Sequence, residues 1–180
     1  MAKIYYIIGS SGAGKDSIMN YAKEKLGQEM PVLFAHRYIT RPASDPTENH
    51  IFLSEEEFAK RIKGQVFAMH WFSHGYYYGI GVEINAWLDQ GFNVIINGSR
   101  EYWPIAISLF PAMQTLMIEV KPDILRERLI KRGRESLEDI EKRMARNQKI
   151  GSDQIPCTRI WNNSSLEESG DEFIRIISQL

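Results

Sequence analysis

A chain of 180 residues with 43% apolar composition is long enough for one domain with its own core and too apolar to remain disordered. Its net charge of −1 provides no global basic field for nucleic acid, so an anion site has to come from local clusters of arginine and lysine. The single cysteine, Cys157, leaves no intramolecular disulfide, and no apolar run approaches membrane-spanning length, so the chain reads as a soluble cytoplasmic protein that opens on a strand without a signal peptide.

Ile4-Tyr5-Tyr6-Ile7-Ile8 is a β-branched and aromatic run that reads as a buried strand. A glycine-rich stretch follows, and apolar residues then recur at helical spacing from Ser17 to Leu26, with Gly27 as the stop. Pro31-Val32-Leu33-Phe34-Ala35 predicts a second strand running into His36–Pro42, and Ala43 to His50 reads as a polar loop. Ser54-Glu55-Glu56-Glu57 is a capping box that opens a short helix to Lys63, ended by Gly64. Val66–Phe72 and Tyr76–Ile80 read as strands around a turn at Ser73-His74-Gly75.

Val82–Gln90 has helical spacing closed by Gly91, and Phe92–Asn97 is another buried strand ending in Gly98-Ser99-Arg100. A helix over Glu101–Phe110 tolerates Pro104 only in its first turn. A strand over Gln114–Val120 precedes a helix from Pro122 through Lys131, a break at Arg132-Gly133-Arg134-Glu135, and a helix from Ser136 to about Ile150. Arg159–Trp161 is a short last strand and Leu166–Leu180 a closing amphipathic helix. Strands alternating with helices predict an α/β fold of one domain over residues 1–180, a parallel sheet covered on both faces, with ligands at the carboxyl ends of its strands.

The stretch that carries chemistry is Gly9-Ser10-Ser11-Gly12-Ala13-Gly14-Lys15-Asp16-Ser17. Strand, glycine-rich turn and helix is the setting of a P-loop. Its glycines let backbone N–H groups turn inward on a polyphosphate, the helix start adds a positive dipole end, and Lys15 reaches the outer phosphates. The residue after the lysine is normally Ser or Thr, whose hydroxyl holds Mg²⁺. Here it is Asp16, a hard oxygen donor that either ligates the metal or only favours the helix start.

Three groups of arginines fall where this topology places a second phosphate site: Arg37 and Arg41, Arg100, and the set Arg132, Arg134, Arg143 and Arg146. Their planar forks suit phosphate oxygens. Arg143 and Arg146 share a helix face, and the glycine-containing break suits a mobile lid over about 132–146. The competing reading is a solvated helix salt-bridged to Glu127, Glu135, Glu138 and Glu141. Tyr76 and Tyr78 share one strand face and Tyr77 the other; one face is expected in the core, and Tyr78 could offer its hydroxyl to a phosphate. Among the histidines, which have no metal-ligand spacing, His70 reads as a core residue, His74 as an exposed turn, and His36 and His50 as neighbours of the acceptor cleft.

The P-loop, Ile39-Thr40-Arg41, Tyr78-Gly79 and Arg128-Leu129-x-x-Arg132-Gly133 resemble the guanylate kinase superfamily. Within it, Gly14-Lys15-Asp16-Ser17, Ala35–Arg41, Glu48-Asn49-His50-Ile51, Tyr77–Ile84 and Asn97-Gly98-Ser99-Arg100 are similar to the ribose 1,5-bisphosphate phosphokinases. The resemblance spans essentially the whole chain and makes Asp16 a family trait. It implies a P-loop kinase with an acceptor-binding region over about 37–85, ATP and Mg²⁺ as co-substrate and cofactor, and transfer of a γ-phosphoryl group to ribose 1,5-bisphosphate. It also implies catalytic roles for Lys15, Arg132 and Arg143, and substrate contacts from Arg37, Arg41, Tyr78, Arg100, Arg134 and Arg146. Guanylate kinases carry paired tyrosines where this chain has His50-Ile51-Phe52-Leu53-Ser54, so a guanine reader is hard to place beyond Glu48 or Glu83, which could equally bind ribose hydroxyls. GMP kinase is the alternative enzyme. A non-catalytic guanylate-kinase-like binding module is the alternative of another class, disfavoured by the retained Lys15.

Overall fold

An apolar strand with no polar face has to be covered on both sides, and β1 (Ile4–Gly9) is. Its side chains alternate: Tyr5 and Ile7 enter one buried cluster with Ile18, Ile118 and Phe173, while Ile4, Tyr6 and Ile8 enter a second with Ile84, Ile96 and Met117. A computed structural model describes residues 2–42, 49–133, 136–149 and 155–178, the side chains of 146, 148 and 149 excepted. After β1 come α1 (Lys15–Lys25), β2 (Val32–Phe34), β3 (Arg37–Ile39), β4 (His50–Phe52), α2 (Glu55–Lys63), β5 (Phe67–Ser73), β6 (Tyr76–Gly81) and α3 (Glu83–Asp89). The chain continues through β7 (Asn93–Asn97), α4 (Trp103–Leu109), β8 (Gln114–Glu119), α5 (Pro122–Arg132), α6 (Leu137–Lys149), β9 (Thr158–Trp161) and α7 (Leu166–Ile177).

The core sheet has the order β2-β7-β1-β8-β9, and every pairing in it is parallel. Pairing of Ile7 with Asn97 sets the end of β7 beside the end of β1, so the loops leaving both strands open on the same crevice. Between β2 and β7 the chain builds a separate mixed sheet of order β4-β3-β6-β5. The predicted hairpin of β5 and β6 is present, with a bulge between Phe67 and Met69.

Strands β3 and β4 carry no sequence signal, being three residues each; β3 is held antiparallel to β6 and parallel to β4. Helix α1 starts at Lys15, two residues before the expected Ser17, and ends where Leu26 turns to an extended conformation, so Gly27 is not its cap. His70, expected in the core, is exposed, because the bulge-shifted β5 turns Met69 and Trp71 inward instead. Pro104 sits in the first turn of α4. Among the described residues no helix is long and apolar enough to cross a membrane.

Candidate active site

Gly14 caps α1 with φ 91°, a conformation that favours glycine, and a Cβ there would stand 2.4 Å from Asn162 Nδ2. That closeness has a purpose. Asn162, buried at the end of β9, donates from Nδ2 to the Ala13 carbonyl at 2.8 Å and accepts from Ser169 Oγ at 3.2 Å. The β9–α7 corner thus clamps the P-loop, and the first N–H groups of α1 face a crevice without intrahelical partners. Lys15 Nζ folds back to donate to the carbonyls of Gly9 at 3.0 Å and Ser10 at 3.3 Å. Burial pushes the Lys15 ammonium down to about 8; Asp16 opposes this, and Arg37 and Arg100 add to it.

The crevice encloses about 380 Å³. Gly9, Ser11, Gly12, Gly14, Lys15, Asp16 and Ser17 line it from the loop. Arg37, Arg41 and Tyr78 line it from the second sheet, Asn97 to Glu101 from the end of β7, and Arg132 from the end of α5. Of the P-loop residues, Ala13 is fully buried beneath it and Ser10 faces a neighbouring hollow. Asp16 accepts from Asn97 Nδ2 at 2.8 Å and lies 3.8 Å from the Arg37 guanidinium. Arg100 donates to Asn147 Oδ1 on α6 at 3.0 Å. The loop bearing Arg100 hangs on Tyr6, whose hydroxyl donates to the Ser99 carbonyl at 3.2 Å and accepts from the Ser99 N–H at 2.9 Å. Burial raises the Tyr6 phenol far above its ordinary value, which keeps it a neutral donor.

Two of the acids expected to neutralise the lid arginines pair elsewhere: Glu141 with Arg126 at 2.8 Å and Glu138 with Lys142 at 2.7 Å. Arg143 instead donates to Ser11 Oγ at 3.1 Å, joining α6 to the P-loop without lining the crevice. Arg134, Glu48 and Glu135 lie outside the described residues, as does the side chain of Arg146. Glu83 does not line the crevice; it accepts from the Tyr38 hydroxyl at 3.3 Å. His74 lines the crevice, whereas His36 and His50 do not. Tyr78 stacks on Trp71 at 5.5 Å, and Trp71 in turn on Tyr102 at 5.2 Å, so a column of rings walls one side. Tyr77 packs outward between Phe58 and Phe72. Sequence reading gave no role to Tyr6, Asn147 or Asn162 and quoted Asn97 only within a family stretch; each acts through a partner more than 40 positions away, which no local pattern reveals.

A glycine-rich loop facing a cluster of arginines across one crevice is the arrangement of a P-loop kinase, and the chain belongs to the guanylate kinase family, whose model matches residues 1–180. Its fold is similar to the crystal structure of guanylate kinase from Anaplasma phagocytophilum, with a TM-score of 0.68 over 98% of this chain and 84% of that one at 15% identity. More closely, it is 48% identical over 176 residues to ribose 1,5-bisphosphate phosphokinase PhnN of Psychromonas ingrahamii, covering 97% of this chain and 89% of the relative. It is 45% identical over 176 residues to the protein of the same name from Thiobacillus denitrificans, covering 98% and 93%.

Proposed function

We propose that this chain is a ribose 1,5-bisphosphate phosphokinase, transferring the γ-phosphoryl group of ATP to the 1-phosphate of ribose 1,5-bisphosphate to give 5-phosphoribosyl 1-diphosphate and ADP. The observation that carries the reading is full-length identity of 45–48% to phosphokinases of that name, joined to a crevice in which P-loop and arginines meet. A phosphate monoester is largely dianionic at neutral pH, its second pKa being about 6, so the acceptor needs no protein base. It needs its charge cancelled while two anions are brought into line.

Lys15 would leave the Gly9 and Ser10 carbonyls for the outer phosphates of ATP. Arg37, Arg41 and Arg100 would hold the acceptor phosphates, with Tyr78 as a neutral donor. Arg132 and Arg143 would bring positive charge from α5 and α6 to the transferring group. Mg²⁺ keeps waters and would take phosphate oxygens here, with Asp16 as the protein's oxygen donor. Bound there, Mg²⁺ would supply charge neutralisation between the outer phosphates. Closure of the lid would exclude water and limit hydrolysis of ATP.

The test is a two-acceptor assay with ATP and Mg²⁺, offering ribose 1,5-bisphosphate or GMP. Phosphoribosyl diphosphate should form, with little GDP. GDP as the sole product would overturn the assignment, and no product from either would remove the kinase activity altogether.

A further inference from the structure

In P-loop enzymes the magnesium site normally pairs a neutral hydroxyl on the loop with a carboxylate at the end of a neighbouring strand. This chain has the opposite arrangement. The carboxylate, Asp16, is on the loop, and the neutral partner, Asn97, ends β7. The two are 81 positions apart yet bonded at 2.8 Å. We infer that Asp16 and Asn97 form a charge-reversed Mg²⁺ clamp, in which Asn97 is the positioning residue that aims the Asp16 carboxylate at the metal. This rests on the kinase reading above.

Two features of Asn97 support the inference. A carboxylate can only accept, so the amide must present Nδ2 to Asp16, which fixes Oδ1 on its other side. Asn97 is only 7% exposed, it lines the crevice, and its Oδ1 is buried without a hydrogen-bond partner among the described residues. An unsatisfied buried acceptor is costly, and a water held in a metal's hydration shell would satisfy it. Hard oxygen from the Asp16 carboxylate, completed by waters that neighbouring polar groups hold, is the donor chemistry Mg²⁺ accepts. The rival explanation is a trapped water, since a void of about 10 Å³ behind Asp16 and Asn97 is at the margin of holding one.

The test uses the full chain with ADP and no sugar acceptor. Mg²⁺ is titrated against the thermal midpoint of the ADP complex, and Mn²⁺ occupancy is followed by electron paramagnetic resonance. Asp16→Asn should raise the half-saturating Mg²⁺ concentration about 10- to 100-fold, and Asn97→Ala about tenfold, with no loss of affinity for metal-free ADP in either. The interchange Asp16→Asn with Asn97→Asp returns the carboxylate to the strand and should recover the wild-type value to within about threefold. Equal Mg²⁺ affinity in Asp16→Asn and the interchanged protein overturns the clamp. So does an Asn97→Ala protein that melts earlier with its Mg²⁺ titration unmoved, as a trapped water predicts. If Asn97→Ala does not fold, comparison of the other two proteins decides. Because ADP is the only ligand, inactivity toward the sugar bisphosphate would refute the function without touching the clamp.

Discussion

Nucleotide binding should take up a proton, and Lys15 is the reason. In the ligand-free protein its ammonium is drawn out of water and titrates at about 8. A triphosphate or diphosphate laid on the loop adds several negative charges around it and should return its pKa to the ordinary lysine range or above. Binding at pH 9 would then draw about 0.9 proton into the complex, binding at pH 8 about 0.5, and binding at pH 7 about 0.1. The terminal phosphate of ADP has a pKa of about 6, so its own proton exchange is over by pH 8. The assay is isothermal titration of ADP in buffers of different ionisation enthalpy, where the slope of observed heat counts protons. Lys15→Arg keeps a permanent charge and should abolish the uptake at pH 9 while retaining some affinity. A wild-type slope near zero at pH 9, or the same slope in Lys15→Arg, would refute the argument.

Four further outcomes follow from the same geometry. Because the folded-state value lies below the unfolded 10.5, the charged Lys15 destabilises the empty protein fully below pH 8, and the penalty is relieved as pH rises toward 10.5. Lys15→Met should therefore abolish turnover yet raise stability at pH 7 by about 1–2 kcal/mol after its two hydrogen bonds are lost, read as a higher thermal midpoint. Tyr6→Phe leaves the Ser99 N–H and carbonyl without their partner; it should cost about 1–3 kcal/mol by chemical denaturation and lower kcat through the loosened Arg100. Asn162→Ala frees the Ala13 carbonyl from its clamp, and the KM for ATP should rise while the KM for the acceptor stays put. Arg143→Ala should lower kcat about 10²–10³-fold with an unchanged melting temperature, and near-normal kcat would return Arg143 to a structural role on Ser11.

How much of this was legible in the chain depended on distance along it. The P-loop was, because strand, turn and helix are contiguous and each is signalled by its own residues. So were the caps, where Ser54 accepts from the Glu57 N–H and Ser136 from the Asp139 N–H, since both partners lie within one helical turn. The parallel core was legible because strands buried on both faces read as unbroken apolar runs. Strands β3 and β4 were not; each has three residues, too few for a pattern, and they exist because β6 offers β3 an edge.

The arginines mark the same boundary. Their number and type led to the expectation of a phosphate site, but Arg126 and Arg143 look alike as sequence, and only packing sends one to Glu141 and the other to Ser11. The register of β1 against β7 sets Asn97 next to Asp16, and Tyr6, whose side chain crosses to the β7 loop, holds Ser99 and Arg100 in place. Local preference chooses the pieces, because a turn, a cap or a buried strand is stabilised by neighbours in the chain. Which charges meet across the crevice is settled by how sheets and helices pack, since those contacts close loops of 40 residues and more that no short-range rule spans.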